Sequence, residues 1–245
     1  MSIDEASAKR GAGKPVAIFR FSETEGPGYF SQWLDAHAIP WTLVPLDEGV
    51  AVPQDPRAYS GVGMMGGPMS AYDDLPWIPP LLTFLQASVD ADVPVIGHCL
   101  GGQIFAKALG APVTPTPVPE IGWHDVEVCG ALGREWFGGR NRFTTFEWHS
   151  DVFALPSGAT RVLTNALNEN QAYVLGKHIG FQCHIEMTTD ILESWCKSGG
   201  DELKEKRGPG IQSEGEICRA LGTRLPELSS VASDVYTRWS RGLVH

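Results

Sequence analysis

Val93-Pro94-Val95-Ile96-Gly97-His98-Cys99-Leu100-Gly101-Gly102-Gln103 is the stretch whose reading decides the fold. Its apolar start, Val93 to Ile96, reads as a short buried strand that stops abruptly at Gly97. After Cys99 come two glycines and then Gln103 to Leu109, a helix that Gly110 would end. Strand, tight turn with one nucleophilic side chain, and helix make a nucleophile elbow. A cysteine at a helix start also feels the positive end of the helix dipole, which favours the thiolate. Taken alone, a buried structural cysteine at a strand–helix junction fits these residues equally well.

Working outward, Val16 to Phe21 reads as a first strand, and Tyr29, Phe30, Trp33, Leu34 and Ala38 share one face of a helix after Gly26-Pro27-Gly28. Trp41 to Leu46 and Tyr59 to Met65 read as the next two strands, the latter ending in Gly66-Gly67-Pro68-Met69-Ser70. Trp77 to Val89 supplies a helix before the strand that enters Cys99. This alternation predicts a parallel sheet covered on both faces. Beyond Gly110 the rhythm changes. Pro112 to Pro119 reads as a proline-rich loop, and Gly122 to Val128, Arg142 to His149, Arg161 to Thr164 and Tyr173 to Leu175 as closely spaced, antiparallel strands. Ile179 to His184 reads as a strand returning to the centre. From Met187 the pattern is helical: Asp190 with Glu193 and Ser213 with Glu216 resemble capping boxes, Gly199-Gly200 and Gly222 read as stops, and Pro226 as a new helix start. The charge run Asp201 to Arg207 reads as a solvated connection. Residues 1–14 read as a flexible leader and 15–245 as a single domain, with a helical C-terminal extension from about residue 188.

The 245 residues, 42% hydrophobic and 20% charged, suit a globular protein with a sizeable core. A net charge of −10 argues against nucleic acid or an anionic membrane surface as partner. No apolar run approaches the roughly 20 residues of a membrane span, and residues 1–14 lack a secretory apolar region. Five cysteines without a Cys-x-x-Cys pair point to a reducing, cytoplasmic setting and to no metal site.

A cysteine nucleophile needs a base, and the base an orienting acceptor. His184 and Glu186, two apart at a predicted strand end, face the same way and can supply both. Cys99, Gly66-Gly67 and His184 all fall at the carboxyl ends of predicted strands, where open α/β sheets collect functional groups. Gly67 and Leu100 would offer backbone N–H groups to a developing oxyanion. Gln103, one helical turn after Cys99, can face the same pocket.

Gly97-x-Cys99-x-Gly101-x-Gln103, Gly66-Gly67-Pro68 and Phe181-Gln182-Cys183-His184-Ile185-Glu186-Met187-Thr188 together resemble class I (triad) glutamine amidotransferases, in that family's order and over about residues 16–188. The likeness is to stand-alone members and to the amidotransferase domain of GMP synthetase. It implies a three-layer, flavodoxin-like mixed α/β sheet with helices on both faces and C-terminal helices. It implies further that Cys99 attacks the side-chain amide of glutamine to give a γ-glutamyl thioester, that His184 carries the proton, and that Glu186 orients His184. Gly67 and Leu100 would then form the oxyanion hole. Gln103 matches the substrate-binding glutamine, and Trp148-His149-Ser150-Asp151 the segment that holds the amino-acid end, so Ser150 and Asp151 are carried with it. No cofactor is implied.

Three residues depart from the family pattern: His98 before the nucleophile, read as a core histidine; Ile185 in place of a proline; and Cys183, read as packing. His149 reads as a loop hydrogen-bonding residue, and Glu120-Ile121-Gly122-Trp123 as structural, with a packing Trp123 and a turn at Gly122. Three functions stay open: an amidotransferase passing ammonia to an acceptor on a separate synthase subunit, a stand-alone γ-glutamyl amide hydrolase, and a non-catalytic module on the same fold.

Overall fold

The computed structural model describes residues 13–199, 203 and 207–245. The leader expected at residues 1–14 and the charge run Asp201 to Arg207 thus lie almost wholly outside the described residues. Nine strands form one sheet: β1 (Val16–Arg20), β2 (Trp41–Pro45), β3 (Gly61–Met64), β4 (Val95–Gly97), β5 (Val113–Val128), β6 (Arg142–Phe153), β7 (Thr160–Thr164), β8 (Ala172–Leu175) and β9 (His178–Phe181). Their order is β2-β1-β3-β4-β9-β8-β7-β5-β6. The half from β2 to β9 is parallel and the rest antiparallel, as the change of rhythm at Gly110 predicts.

Helices α1 (Gly28–Ala36), α2 (Ile78–Asp90), α3 (Leu100–Ala108), α4 (Gly130–Trp136), α5 (Thr189–Ser198) and α6 (Glu214–Ser240) accompany the sheet, with short 3-10 turns at Leu46–Glu48 and Pro56–Ala58. Successive side chains of a strand point to opposite faces, and β1 shows what that does here. Val16 and Ile18 join a core with Phe30 and Trp33 of α1 and Val235 and Trp239 of α6. Ala17 and Phe19 join a second core with Leu81 and Phe84 of α2 and Ile104 and Phe105 of α3. Two cores on the two faces of one sheet make the three layers.

Four expectations need correction. Residues 113–119 are not a loop but the first part of β5, where Val113, Thr114 and Pro115 pair with Phe153, Val152 and Asp151. Here β5 has a neighbour on one side only, and a bulge between Pro115 and Glu120 absorbs the prolines, which an edge position tolerates. The strand expected through His184 stops at Phe181; beyond it a single bridge joins His184 to Phe146 of β6. The cap of α5 is Thr188, whose hydroxyl accepts from the Ile191 N–H, not the Asp190 box. And α6 runs through Gly222 and Pro226 instead of breaking there, its start capped by the expected Ser213–Glu216 box.

Magnitudes account for that continuation. An interior proline costs a helix about 3 kcal/mol. Leu228, Val231, Val235 and Trp239 are each at most 2% exposed, and burying each contributes about 1.5–3 kcal/mol. The proline ring presses on the carbonyl four residues earlier, and that residue is Gly222, with open space around it.

The elbow is tightly packed. A Cβ added to Gly102 would sit 2.1 Å from the Phe181 carbonyl oxygen of β9. Overpacking of this kind costs about 1–3 kcal/mol, so Gly102→Ala is expected to lower the urea denaturation midpoint accordingly. An unchanged midpoint would mean that α3 does not need this close approach to β9.

Candidate active site

Cys99 sits between β4 and α3 with φ +48° and ψ −110°, a backbone conformation that non-glycine residues rarely adopt. Such strain costs on the order of 1–3 kcal/mol and persists only where the surroundings enforce it. Here the Gly101 N–H donates to Met65 and the Gln103 N–H to the Cys99 carbonyl, which holds α3 on the end of β3. The thiol contacts the Trp148 carbonyl and receives the Gln182 amide N–H, each at 3.9 Å.

Its neighbours are held from three elements. The His184 N–H donates to the Phe146 carbonyl of β6 at 2.8 Å, and the Glu186 carbonyl accepts from the Tyr29 N–H at the start of α1, also at 2.8 Å. Between these anchors the two side chains meet, His184 Nδ1 lying 2.6 Å from Glu186 Oε1. Both side chains are almost fully buried. Burial alone would lower the His184 pKa, but the charges of Glu186 and Cys99 outweigh it and hold the imidazole well above its ordinary value. Burial pushes the Glu186 carboxyl the other way from His184, and His184 prevails, so the carboxyl stays below its usual range. His184 Nε2 is buried with no hydrogen-bond partner. Trp195 of α5 packs edge-on against the ring, centroids 4.8 Å apart.

A cavity of about 650 Å³ opens over Cys99, and Gly67, Leu100, Gln103, Ser150 and Asp151 all line it. Leu100 is the first residue of α3, where a helix N–H has no intrahelical acceptor. Gly67 adjoins it, since a Cβ there would lie 2.6 Å from Leu100 Cδ2. Every residue expected at the site from sequence is therefore brought to one cavity or to the ion pair beside it.

A model of the family described as "Glutamine amidotransferase class-I" matches residues 34–193. The chain belongs to that family. Family membership carries glutamine-amide hydrolysis as the general chemistry. Among curated relatives, the glutamine amidotransferase-like protein YfeJ of Salmonella typhimurium is 29% identical over 75% of this chain and 80% of its own length. The GMP synthase of Aeropyrum pernix is 31% identical over 59% of this chain, which spans 28% of that enzyme. A crystal structure of a glutamine amido transferase from Methylobacillus flagellatus superposes with a TM-score of 0.93 at 45% identity, covering 95% of this chain and 96% of the other.

Within this member of the family several residues do work that the sequence did not announce. The Gln103 amide N–H donates to the Asp151 carbonyl at 3.1 Å and to Gln182 at 3.3 Å, so that nitrogen holds the pocket wall. The Asp151 carboxylate accepts from Ser70 Oγ at 2.5 Å and Tyr72 OH at 3.0 Å, which ties β6 to the loop after Gly67. His98 is the core histidine it was expected to be: Nδ1 meets the Met64 carbonyl, Nε2 meets Tyr236 of α6, and burial lowers its pKa. Trp123 packs on Phe146 as expected, whereas Gly122 lies within β5 at φ +115°, not in a turn.

His149 is the larger correction. It is no loop residue but a buried position of β6. Its Nδ1 meets the Asp151 carbonyl at 3.1 Å, and its Nε2 lies 3.4 Å from both Glu120 and Glu147. Those two distances are long for hydrogen bonds, so charge pairing dominates. Burial would lower the His149 pKa; the two carboxylates instead lift it to about 10. Burial raises Glu147 to about 7, with His149 opposing and Glu120 reinforcing the rise. Both groups hold protons more tightly folded than unfolded. The stability from His149 is thus complete below its ordinary value of 6.5 and is lost as pH rises through about 10. Urea midpoints are expected to fall across that window, and the fall should flatten in His149→Gln; parallel profiles for the two proteins would refute the buried imidazolium.

Among the described residues, no helix is long and apolar enough to cross a membrane.

Proposed function

We propose that the protein hydrolyses the side-chain amide of glutamine through a γ-glutamyl thioester on Cys99, delivering ammonia to an acceptor. The observation that carries this reading is a strained elbow cysteine lining a cavity, with a buried His184–Glu186 pair beside it whose imidazole interacts with the Cys99 sulfur.

His184 takes the proton of Cys99, the charge of Glu186 stabilises the resulting imidazolium, and the Gln182 N–H points at the sulfur. The sulfur attacks the amide carbon, and the oxygen, now carrying the charge, meets the Gly67 and Leu100 N–H groups. His184 passes its proton to the departing nitrogen and the C–N bond breaks. Water then loses a proton to His184 and attacks the thioester, releasing glutamate and restoring the thiolate. Ser150 and Asp151 lie where the amino-acid end of the substrate would sit, on the wall that Gln103 holds.

A separate synthase subunit, cytoplasmic like this chain, would take up the ammonia. A second reading, a stand-alone γ-glutamyl amide hydrolase, is favoured by one observation: the cavity is larger than a free amino acid occupies. Both readings share the thioester. A chloroketone analogue of glutamine is expected to label Cys99 alone, and glutamine to protect it. Labelling of another cysteine at an equal rate, without protection, would overturn the assignment.

A further inference from the structure

Glu25 lies in the loop between β1 and α1, takes no part in the chemistry above, and lines the cavity. A Cβ placed on Gly66 would be 2.1 Å from Glu25 Oε2 and 2.9 Å from His184 Cε1, so the carboxylate and the imidazole edge border the same small space. His184 delivers its proton to the departing nitrogen, which puts Glu25 on the leaving-group side of the reacting carbon.

That side is built rather than incidental. Trp195 packs on His184 and donates its indole N–H to the Thr24 carbonyl at 2.9 Å, which fixes the loop that presents Glu25. Trp148 meets Trp195 edge-on, centroids 5.8 Å apart, and both residues line the cavity. No lysine or arginine is among the described residues lining it. Burial pushes the Glu25 carboxyl up to about 7, with His184 opposing and Glu186 adding to the rise, so this anion is short of positive charge.

The geometry points to a leaving-group compartment for an amine larger than ammonia that carries its own positive charge, with Glu25 as its counter-ion and Trp148 and Trp195 against its alkyl stem. The substrate class is the γ-glutamyl amide of a diamine, and the inference rests on the Cys99 thioester reading. The bond changes are those of the hydrolysis already described. The amide C–N bond breaks as the C–S bond forms, His184 protonates the departing nitrogen, and water cleaves the thioester to give glutamate and the diamine. When the proton leaves His184, the imidazolium charge cancels that of the oxyanion and the reacting nitrogen departs as a neutral amine, so the distal ammonium is left as the positive charge beside Glu25 and the carboxylate favours a leaving group that carries one. Indole faces add attraction for an ammonium held against them.

The test compares kcat/KM for γ-glutamyl putrescine, γ-glutamyl butylamide and γ-glutamyl β-alanine, which place a positive, a neutral and a negative group at similar reach. The native chain is expected to favour the cationic amide over the neutral one on the order of tenfold, and to disfavour the anionic one. Tenfold corresponds to about 1.4 kcal/mol, within the reach of one charge-assisted hydrogen bond. In Glu25→Gln the cationic-to-neutral ratio is expected to fall to about one, and in Glu25→Asp to be largely retained. Ratios within one protein are unaffected by any loss of folded fraction. An unchanged ratio in Glu25→Gln, a native preference for the neutral or anionic amide, or hydrolysis of glutamine with none of the three amides would overturn the inference and leave the thioester reading standing. Absence of glutamate release from glutamine and from all three amides, with Cys99 unlabelled by the chloroketone, would remove both.

Discussion

Cys99→Ala is expected to lower kcat for glutamine by on the order of 10⁴-fold or more, while the chain stays folded. Loss of the nucleophile from a hydrolytic triad costs up to about 10⁶ in kcat, because no remaining group forms the covalent intermediate. Cys99 is 5% exposed at the edge of its cavity, so removing the sulfur opens little new void. Alanine also inherits the strained backbone, and the elbow contacts run through main-chain atoms: the Gly101 N–H to Met65 and the Gln103 N–H to residue 99. Glutamine binding should therefore survive in the variant, seen as protection against heat or proteolysis. Residual kcat within tenfold of the native chain would mean that the thiol does not carry the reaction. Loss of glutamine protection would mean that Cys99 shapes the pocket instead.

Glu186→Gln should be the next most damaging substitution, on the order of 10²–10⁴-fold in kcat. The precedent is a triad whose orienting aspartate, changed to the amide, leaves geometry intact but fixes the wrong tautomer, at a cost near 10⁴. Glu186 Oε1 lies 2.6 Å from His184 Nδ1, and its charge is the largest influence lifting the His184 pKa against burial. With the amide in place the imidazolium loses that support, and the thiolate loses its charged neighbour. The rate of Cys99 alkylation against pH should therefore shift to higher pH, which a purely structural defect would not produce. Glu186 is depressed when folded, so its own contribution to stability is present above its ordinary value of 4.5 and fades as pH falls below it. An unshifted alkylation profile would place Glu186 outside the catalytic unit.

How legible all this was in the sequence differs by residue. The elbow was plain because its parts are local: an apolar run, a nucleophile, two glycines and a helix within about fifteen positions. The parallel half of the sheet followed from alternation. What failed were places where tertiary contacts override local signals. Pro112 to Pro119 carries strong loop chemistry, yet a one-sided edge and a bulge let it join β5. Gly222 and Pro226 read as a helix break, yet the apolar stripe from Leu228 to Trp239 holds α6 together.

At the site, Cys99, His184 and Glu186 could be named because each has a chemically distinctive type and sits close to a strand end. The ion pair survived an error in the strand: β9 ends at Phe181, and the bridge to Phe146 does what strand pairing was expected to do. Glu25 and the Glu120–Glu147–His149 cluster gave no local sign. Glu120 lies 27 residues before Glu147 and 29 before His149, and nothing local joins a residue read as structural to one read as a loop hydrogen-bonder until β5 and β6 pair and Glu120 falls opposite His149. Glu25 sits in a short polar loop, and only the fold of α5 back onto His184 gives it a pocket to face.

The account turns on a covalent γ-glutamyl enzyme. Acid quenching during turnover of isotopically labelled glutamine, followed by mass spectrometry of the peptide containing Cys99, measures that species directly. The account predicts label on Cys99 in the native chain, its loss on treatment with hydroxylamine, and no label in Cys99→Ala. Glutamate release at the native rate with no label on that peptide at any quench time would contradict it.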